Sequence, residues 1–519
     1  MRTSILLAAV VVALSTNGAT AAVAAVAPRQ ASSDAASAAA SATGAISSAA
    51  SSANGATATA ATATEVPTAG ASSSTAAGGD GDGDDDNDSD ASTVAGSATS
   101  AASPSSTGNS SVVAPVVSAS APAQASPVPE LPPYGAQNLS SYANDSLAGP
   151  NGYGNSECRS VTLNVTANAL NINYTNVDDK YSNQSYITGQ VLEFANLQMP
   201  WIQSHESGTE PNNRTYSISA DYCTPRQGAS DNSSLILAVH GIGFSKSYWN
   251  FSPDNSSSSD GSPYSFIDQA TSQGYSVLAY DRLGTGESEH PDSGFQQVQA
   301  ATEVSILNGI LAQLRNGSAI EGQQFDRIVG VGHSYGSVQL QASSATAPDL
   351  LDGIALTGYS NSTAGLTQFF AGSTLMPANE VQPDRFSNIS SVYLLTGSAA
   401  ADLTLFAWPP NYSPEAIEVA RSQYSDVVNL GTLTSQATVQ QPATNFAKPV
   451  FVISGEHDLP FCSGTCQPAL LDGVRDTLYP QASNFSSYIV PSTGHGIEVH
   501  YTAASANRLV MDFIMGNGL

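Results

Sequence analysis

The pentapeptide Gly332-His333-Ser334-Tyr335-Gly336 sets a serine between two glycines. In a tight turn, small flanking residues let a serine oxygen stand clear of the backbone, and a helix starting just behind it favours negative charge. A serine hydroxyl is a weak nucleophile until a base takes its proton, and the base needs a third group to orient it. Two later segments offer those groups. Gly494-His495-Gly496 carries an imidazole between glycines, and Gly455-Glu456-His457-Asp458 carries a carboxylate. Asp458 is the expected orienter, with Glu456 as the alternative acid, and His457 is expected to point elsewhere. His500 competes with His495, but it falls near the start of the last helical pattern, where capping or packing suits it better. Acyl transfer also needs donors aimed at the developing oxyanion. The backbone N–H groups of Tyr335 and of Ile242, in His240-Gly241-Ile242-Gly243-Phe244, are the candidates. His240 reads as a structural histidine holding that loop. This chemistry calls for no metal and no organic cofactor.

The pentapeptide alone is a weak signal in a chain with 43 glycines. Its position makes it strong. Continuous apolar runs at Leu235–Val239, Ser276–Tyr280, Arg327–Val331, Gly353–Thr357, Pro449–Ile453 and Ser487–Val490 suit buried parallel strands, and Arg214–Cys223 alternates like a strand. A helical stripe at Thr302–Arg315 separates two of them, and another at Ala503–Met515 follows the last. Strands alternating with helices predict an α/β fold: a mostly parallel, doubly wound sheet covered on both faces. Function then belongs at the carboxyl ends of the strands, where each motif above falls.

With those motifs in place, the chain resembles the α/β-hydrolase fold superfamily, in particular its secreted fungal serine hydrolases. The His240-Gly241 pair, the Gly-His-Ser-Tyr-Gly elbow and the segment Asp281-Arg282-Leu283-Gly284-Thr285-Gly286-Glu287-Ser288 carry the resemblance, over roughly Cys158 to Leu519. It implies Ser334 as nucleophile, His495 as base, Asp458 as orienter, and Ile242 and Tyr335 as oxyanion donors, in the chain order Ser, Asp, His. No Gly-Gly-Gly run follows His240, which argues against lipases with that loop. Gly284-x-Gly286 does not make a dinucleotide loop, because Glu289 stands where a third glycine is required and would repel a pyrophosphate. Epoxide hydrolase and dehalogenase chemistries want a carboxylate where Ser334 stands.

The stretch from Tyr359 to Pro449 is too long for one connection. It is rich in apolar residues, among them Phe369, Phe370, Leu405, Phe406 and Trp408. Residues 361–445 are therefore expected to form an inserted lid over an apolar pocket.

The termini and composition bound the rest. Met1-Arg2, an apolar run from Ile5 to Leu14 and small residues at Ala19, Ala21 and Ala22 read as a signal peptide over 1–21. Residues 22–130 are Ala, Ser, Thr, Gly and Pro with almost no aromatics. Such a segment cannot bury enough apolar surface to order, and it reads as a disordered, O-glycosylated stalk. Its acidic run from Asp80 fails as a calcium loop, with Asp85 and Ala91 at the positions that want Gly and Glu. The hydrolase domain is expected over 131–519. The net charge of −28, without a basic stripe, excludes nucleic acid as a natural partner. No stretch predicts stable membrane insertion.

Four cysteines in an exported chain point to disulfides and allow three connectivities. The closeness of Cys462 and Cys466 favours pairing them, which leaves Cys158 with Cys223; a metal site on Cys-x-x-x-Cys alone is weak. Asn-x-Ser/Thr sites at Asn164, Asn173, Asn183, Asn250, Asn361 and Asn411 suit N-linked glycans. The expected function is extracellular hydrolysis of a small-molecule carboxylic ester with an apolar part, with retention at the cell wall left open. Amide, thioester or carbon–carbon hydrolysis, or a non-catalytic secreted binding protein, are the alternatives.

Overall fold

The computed structural model describes residues 153–229, 233–253 and 261–519. The expected signal peptide, the stalk with its acidic run, and the first residues of the expected domain lie outside the described residues.

Eight strands form the central sheet: β1 (Ser156–Thr166), β2 (Thr215–Pro225), β3 (Ser234–Val239), β4 (Ser276–Tyr280), β5 (Arg327–His333), β6 (Gly353–Thr357), β7 (Val450–Gly455) and β8 (Phe485–Val490). Their spatial order is β1-β2-β4-β3-β5-β6-β7-β8. The pairs from β4 to β8 are parallel, and β1–β2 and β2–β4 are antiparallel. The expected mostly parallel, doubly wound sheet is the one the chain forms. Every residue of β3, β4, β6 and β7 is buried, because helices cover both faces of a parallel sheet and leave no polar side. From β3 the chain goes to β4 on one side and, later, to β5 on the other. Such a reversal opens a crevice at the carboxyl ends of the strands.

Between β1 and β2 the chain makes an excursion that the sequence pattern did not announce. It holds an antiparallel pair, Ala169–Tyr174 with Glu206–Asn212, and two helices, α1 (Gln184–Leu197) and α2 (Met199–His205). Asn183 caps α1 by accepting the Tyr186 N–H. α3 (Phe266–Ser272) precedes β4, α4 (Ala300–Asn316) follows it, and α5 (Tyr335–Thr346) follows β5. The stripe Val304, Leu307, Ile310, Leu311 and Leu314 buries one side of α4, and Gly317 ends it in the left-handed conformation. The insertion between β6 and β7 contains α6 (Leu366–Ser373), α7 (Ala399–Phe406), α8 (Pro414–Val419) and α9 (Leu430–Ser435). α10 (Pro468–Leu478) and α11 (Ala503–Gly516) complete the fold. α4 packs with α5, and α3 packs with α11.

The cysteines pair as Cys158–Cys223 and Cys462–Cys466. The first pair lies directly opposite in the β1–β2 register. One expected glycan position is corrected. Asn411 is 2% exposed, and its amide donates to Thr502 Oγ1 at 3.0 Å, so it faces inward and has no room for a glycan. Asn164, Asn183, Asn250 and Asn361 are exposed. Among the described residues no helix is long and apolar enough to cross a membrane.

Candidate active site

β5 delivers Ser334 at its carboxyl end with φ 55° and ψ −118°. A non-glycine residue adopts such a conformation only where its surroundings over-determine it, and here the surroundings are specific. A Cβ on Gly336 would lie 2.0 Å from the Val239 carbonyl oxygen, and one on Gly332 would lie 2.7 Å from the backbone of Gly336. The Ser334 N–H donates to the Thr357 carbonyl at 2.9 Å, and the Ser337 hydroxyl donates to the carbonyls of Gly332 and Thr357. Both glycines of the pentapeptide are thus required by the approach of other backbone.

The structure brings the three expected residues together. His495 Nε2 lies 2.8 Å from Ser334 Oγ, and His495 Nδ1 lies 2.6 Å from Asp458 Oδ2. Asp458 and His495 are buried, and Ser334 is 7% exposed. Asp458 also caps the short helix Leu459–Cys462, its Oδ1 accepting the Phe461 N–H. Its two oxygens are therefore assigned to separate tasks. The His495 ring lies among Phe369, Phe406, Phe461 and His333.

The competing residues have other work. Glu456 accepts the Ser492 N–H, and His457 stacks on Trp408 at 3.7 Å. His240 holds its loop: Nε2 accepts the Arg282 N–H at 3.0 Å, and Nδ1 lies 2.9 Å from the Gly241 carbonyl. Burial holds its pKa well below the usual value. His500 does not cap the last helix, whose cap position is Thr502. Instead its Nε2 accepts the N–H groups of Gly494 and Trp408, each at 3.0 Å, and its Nδ1 faces the Gly496 carbonyl at 2.8 Å. An imidazole nitrogen that accepts is unprotonated, so His500 is neutral and its proton sits on Nδ1. Burial lowers its pKa to about 4. His500 thus braces the loop that carries His495.

The backbone N–H groups of Ile242 and Tyr335 have no hydrogen-bond acceptor among the described residues. Tyr335 begins α5. A Cβ on Gly241 would fall 2.8 Å from Ser334 Cβ, so this glycine lets the loop bearing Ile242 pass beside the serine. Beneath the elbow lies a buried charge pair that the sequence reading missed. Arg282 Nη1 donates to Glu303 Oε1 at 2.6 Å, the Tyr335 hydroxyl donates to Glu303 Oε2 at 2.8 Å, and the guanidinium sits 4.8 Å from the centre of the Tyr335 ring. The loop after β4 is tied down in turn by Asp281, which accepts from the Lys246 N–H and ammonium and from the Glu287 N–H.

Ile242, Gly243, Phe369, Phe406 and Val428 line a narrow, mostly apolar cavity of about 20 Å³. Among the described residues no group of three His, Cys, Asp or Glu could hold a metal ion.

This sheet, with a serine on the turn after its fifth strand and an imidazole and carboxylate on later strand ends, defines an α/β-hydrolase architecture. A profile of the Alpha/beta hydrolase family matches residues 236–507, just over half of the chain, and the chain belongs to that family. Hydrolysis is the class of activity that membership supports. Among solved structures, a thermophilic esterase from Thermogutta terrifontis is similar at 14% identity and TM-score 0.37, over 58% of this chain and 95% of its own. A monoacylglycerol lipase from Paleococcus ferrophilus is similar at 14% identity and TM-score 0.36, over 58% of this chain and 99% of its own. An alpha/beta hydrolase fold protein from Chitinophaga pinensis is similar at 15% identity and TM-score 0.36, over 57% and 94%. Comparison with curated proteins finds no match.

Proposed function

We propose that the chain is an extracellular serine hydrolase that cleaves a carboxylic ester through Ser334, His495 and Asp458. The observation that carries this reading is the unbroken contact chain Ser334 Oγ–His495 Nε2 and His495 Nδ1–Asp458 Oδ2, at 2.8 and 2.6 Å. Ser334 Oγ attacks the ester carbonyl carbon while Nε2 takes its proton. Asp458 fixes the tautomer and stabilises the imidazolium that forms. The oxyanion is received by the N–H groups of Ile242 and Tyr335. His495 then returns the proton to the departing alcohol, leaving an acyl-enzyme on Ser334. Water, deprotonated by the same imidazole, releases the acid.

The apolar lining beside Ile242 supports a substrate with an apolar part, and the insertion between β6 and β7 is its lid. The two disulfides, the signal-like first residues and the exposed Asn-x-Ser/Thr positions support secretion, with N-linked glycans on Asn164, Asn250 and Asn361. Purified protein should hydrolyse a short p-nitrophenyl ester and be labelled by a fluorophosphonate at Ser334. Ser334→Ala should lose about three or more orders of magnitude in kcat together with the label. Unchanged turnover in that variant would sink the reading.

A further inference from the structure

The insertion places one carboxyl group where the proposed mechanism has no use for it. Asp426 follows the segment that pairs with the loop bearing Ile242: Ser425 bridges Phe244, and the Asp426 N–H donates to the Gly243 carbonyl at 2.8 Å. Its side chain is 5% exposed and lines the cavity together with Ile242, Phe369, Leu394, Phe406 and Val428. Oδ1 accepts the N–H groups of Gly286 and Val427, at 3.1 and 2.8 Å. Oδ2 has no hydrogen-bond partner among the described residues.

No lysine or arginine nitrogen among the described residues lies within ion-pair distance of it. Arg385 acts on it only from further away, while its guanidinium donates to Gln382 and to the Ser425 carbonyl. Asp281 adds a like charge from the loop after β4. Burial, the largest influence, pushes the carboxyl up to about 6.

A half-satisfied carboxyl facing an apolar cavity is costly to keep. Its structural task is to accept two N–H groups on one oxygen. An asparagine carbonyl would do that without a charge to desolvate. The second oxygen is left to face whatever enters the cavity.

We propose that Asp426 is a specificity-determining residue: its carboxyl holds a hydrogen-bond donor, a hydroxyl or an ammonium group, borne on the otherwise apolar part of the substrate. This rests on the reading of Ser334 as nucleophile. The preferred ester would then be a hydroxylated or amino-substituted acyl or alkyl ester rather than a plain one.

The test compares p-nitrophenyl esters of six- and eight-carbon acids, each plain, ω-hydroxylated or ω-amino-substituted, at pH 7 with the full secreted protein. Wild type should favour a donor-bearing ester over its plain partner by roughly tenfold or more in kcat/KM at one chain length or both. The ratio of the two substrates within one protein is independent of how much of it is active. That ratio should fall to near one in Asp426→Leu. A preference that is for the ammonium should fall in Asp426→Asn as well, whereas one for the hydroxyl should survive there in part. Fluorophosphonate titration of Ser334 counts the intact sites in each variant. Equal turnover of all esters by wild type would overturn the proposal even if both variants failed to fold. A preference that persists undiminished in Asp426→Leu would overturn it too. No turnover of any ester and no fluorophosphonate label in wild type would overturn the serine-hydrolase reading itself, and this inference with it.

Discussion

Holding Ser334 at φ 55° costs on the order of 1–3 kcal/mol. The surrounding contacts must supply it. Gly336 touches the Val239 carbonyl so closely that even a methyl group has no place there. Gly336→Ala should therefore displace the elbow from β3 and lower kcat by about a hundredfold or more, with a smaller fall in thermal stability. Turnover and the melting curve measured together separate the two effects, and near-normal kcat would refute the close approach. The charge beneath the elbow makes a second demand. Glu303 receives both Arg282 and the Tyr335 hydroxyl in a fully buried site. Glu303→Leu strands a cation and a hydroxyl, and breaking a buried pair this way destabilises by about 3–5 kcal/mol. Denaturant unfolding should record a loss of that order. Ser334, Asp458 and His495 were legible in the sequence because each follows an apolar strand run. Glu303 was not, since it sits on the apolar stripe of α4 and its partner Arg282 lies 21 residues away in another element. Asp426 was not legible either: it stands among apolar residues with no periodic signal, and Gly286, which it accepts from, is 140 residues distant.

Among the elements, the loop after β8 is held from several sides. His500 braces it through two backbone N–H groups, and Glu498 is buried beside it with the Asn507 amide donating to one oxygen. Burial raises the Glu498 carboxyl from 4.5 to about 8. A raised pKa means that the folded state holds a proton the unfolded chain releases. The stability it contributes is complete below the ordinary carboxyl range and is lost as pH rises toward 8. His500 works in the opposite sense: its pKa of about 4 makes stability rise with pH between about 4 and 6.5. Above pH 6.5 only Glu498 of the two still changes. Wild type should lose on the order of 2 kcal/mol between pH 6.5 and 8 through this group. Glu498→Gln should flatten that decline, and parallel stability curves for the two proteins would count against it. The strands were readable as elements because parallel strands buried on both faces leave unbroken apolar runs. The excursion between β1 and β2 was not. Its strand Glu206–Asn212 is exposed over six of its seven residues and holds no apolar run at all.

At the scale of the whole molecule, that excursion reaches the insertion from outside. Phe194 of α1 packs 5.6 Å from Phe370 of α6, and the Thr367 hydroxyl donates to the Ala195 carbonyl. The Tyr181 hydroxyl accepts the Leu430 N–H at 2.7 Å and donates to the Gly294 carbonyl. Trp201 is fully buried against Tyr174, Phe194 and Phe295. One wall of the cavity is therefore knit from segments 172 residues apart. Contacts of such separation are slow to form, because the closure entropy must be met before they contribute. Refolding from denaturant should restore the far-ultraviolet signal of the sheet first. Ester turnover and the Trp201 environment should return together in a later phase, and simultaneous recovery of all three would exclude such a sequence. A nascent chain would then pass through an interval in which its sheet is complete and the site at its strand ends is still silent. The timing of activity would be set by the closing of a clasp whose own contacts, at Phe370, Thr367 and Leu430, include none with Ser334 or His495.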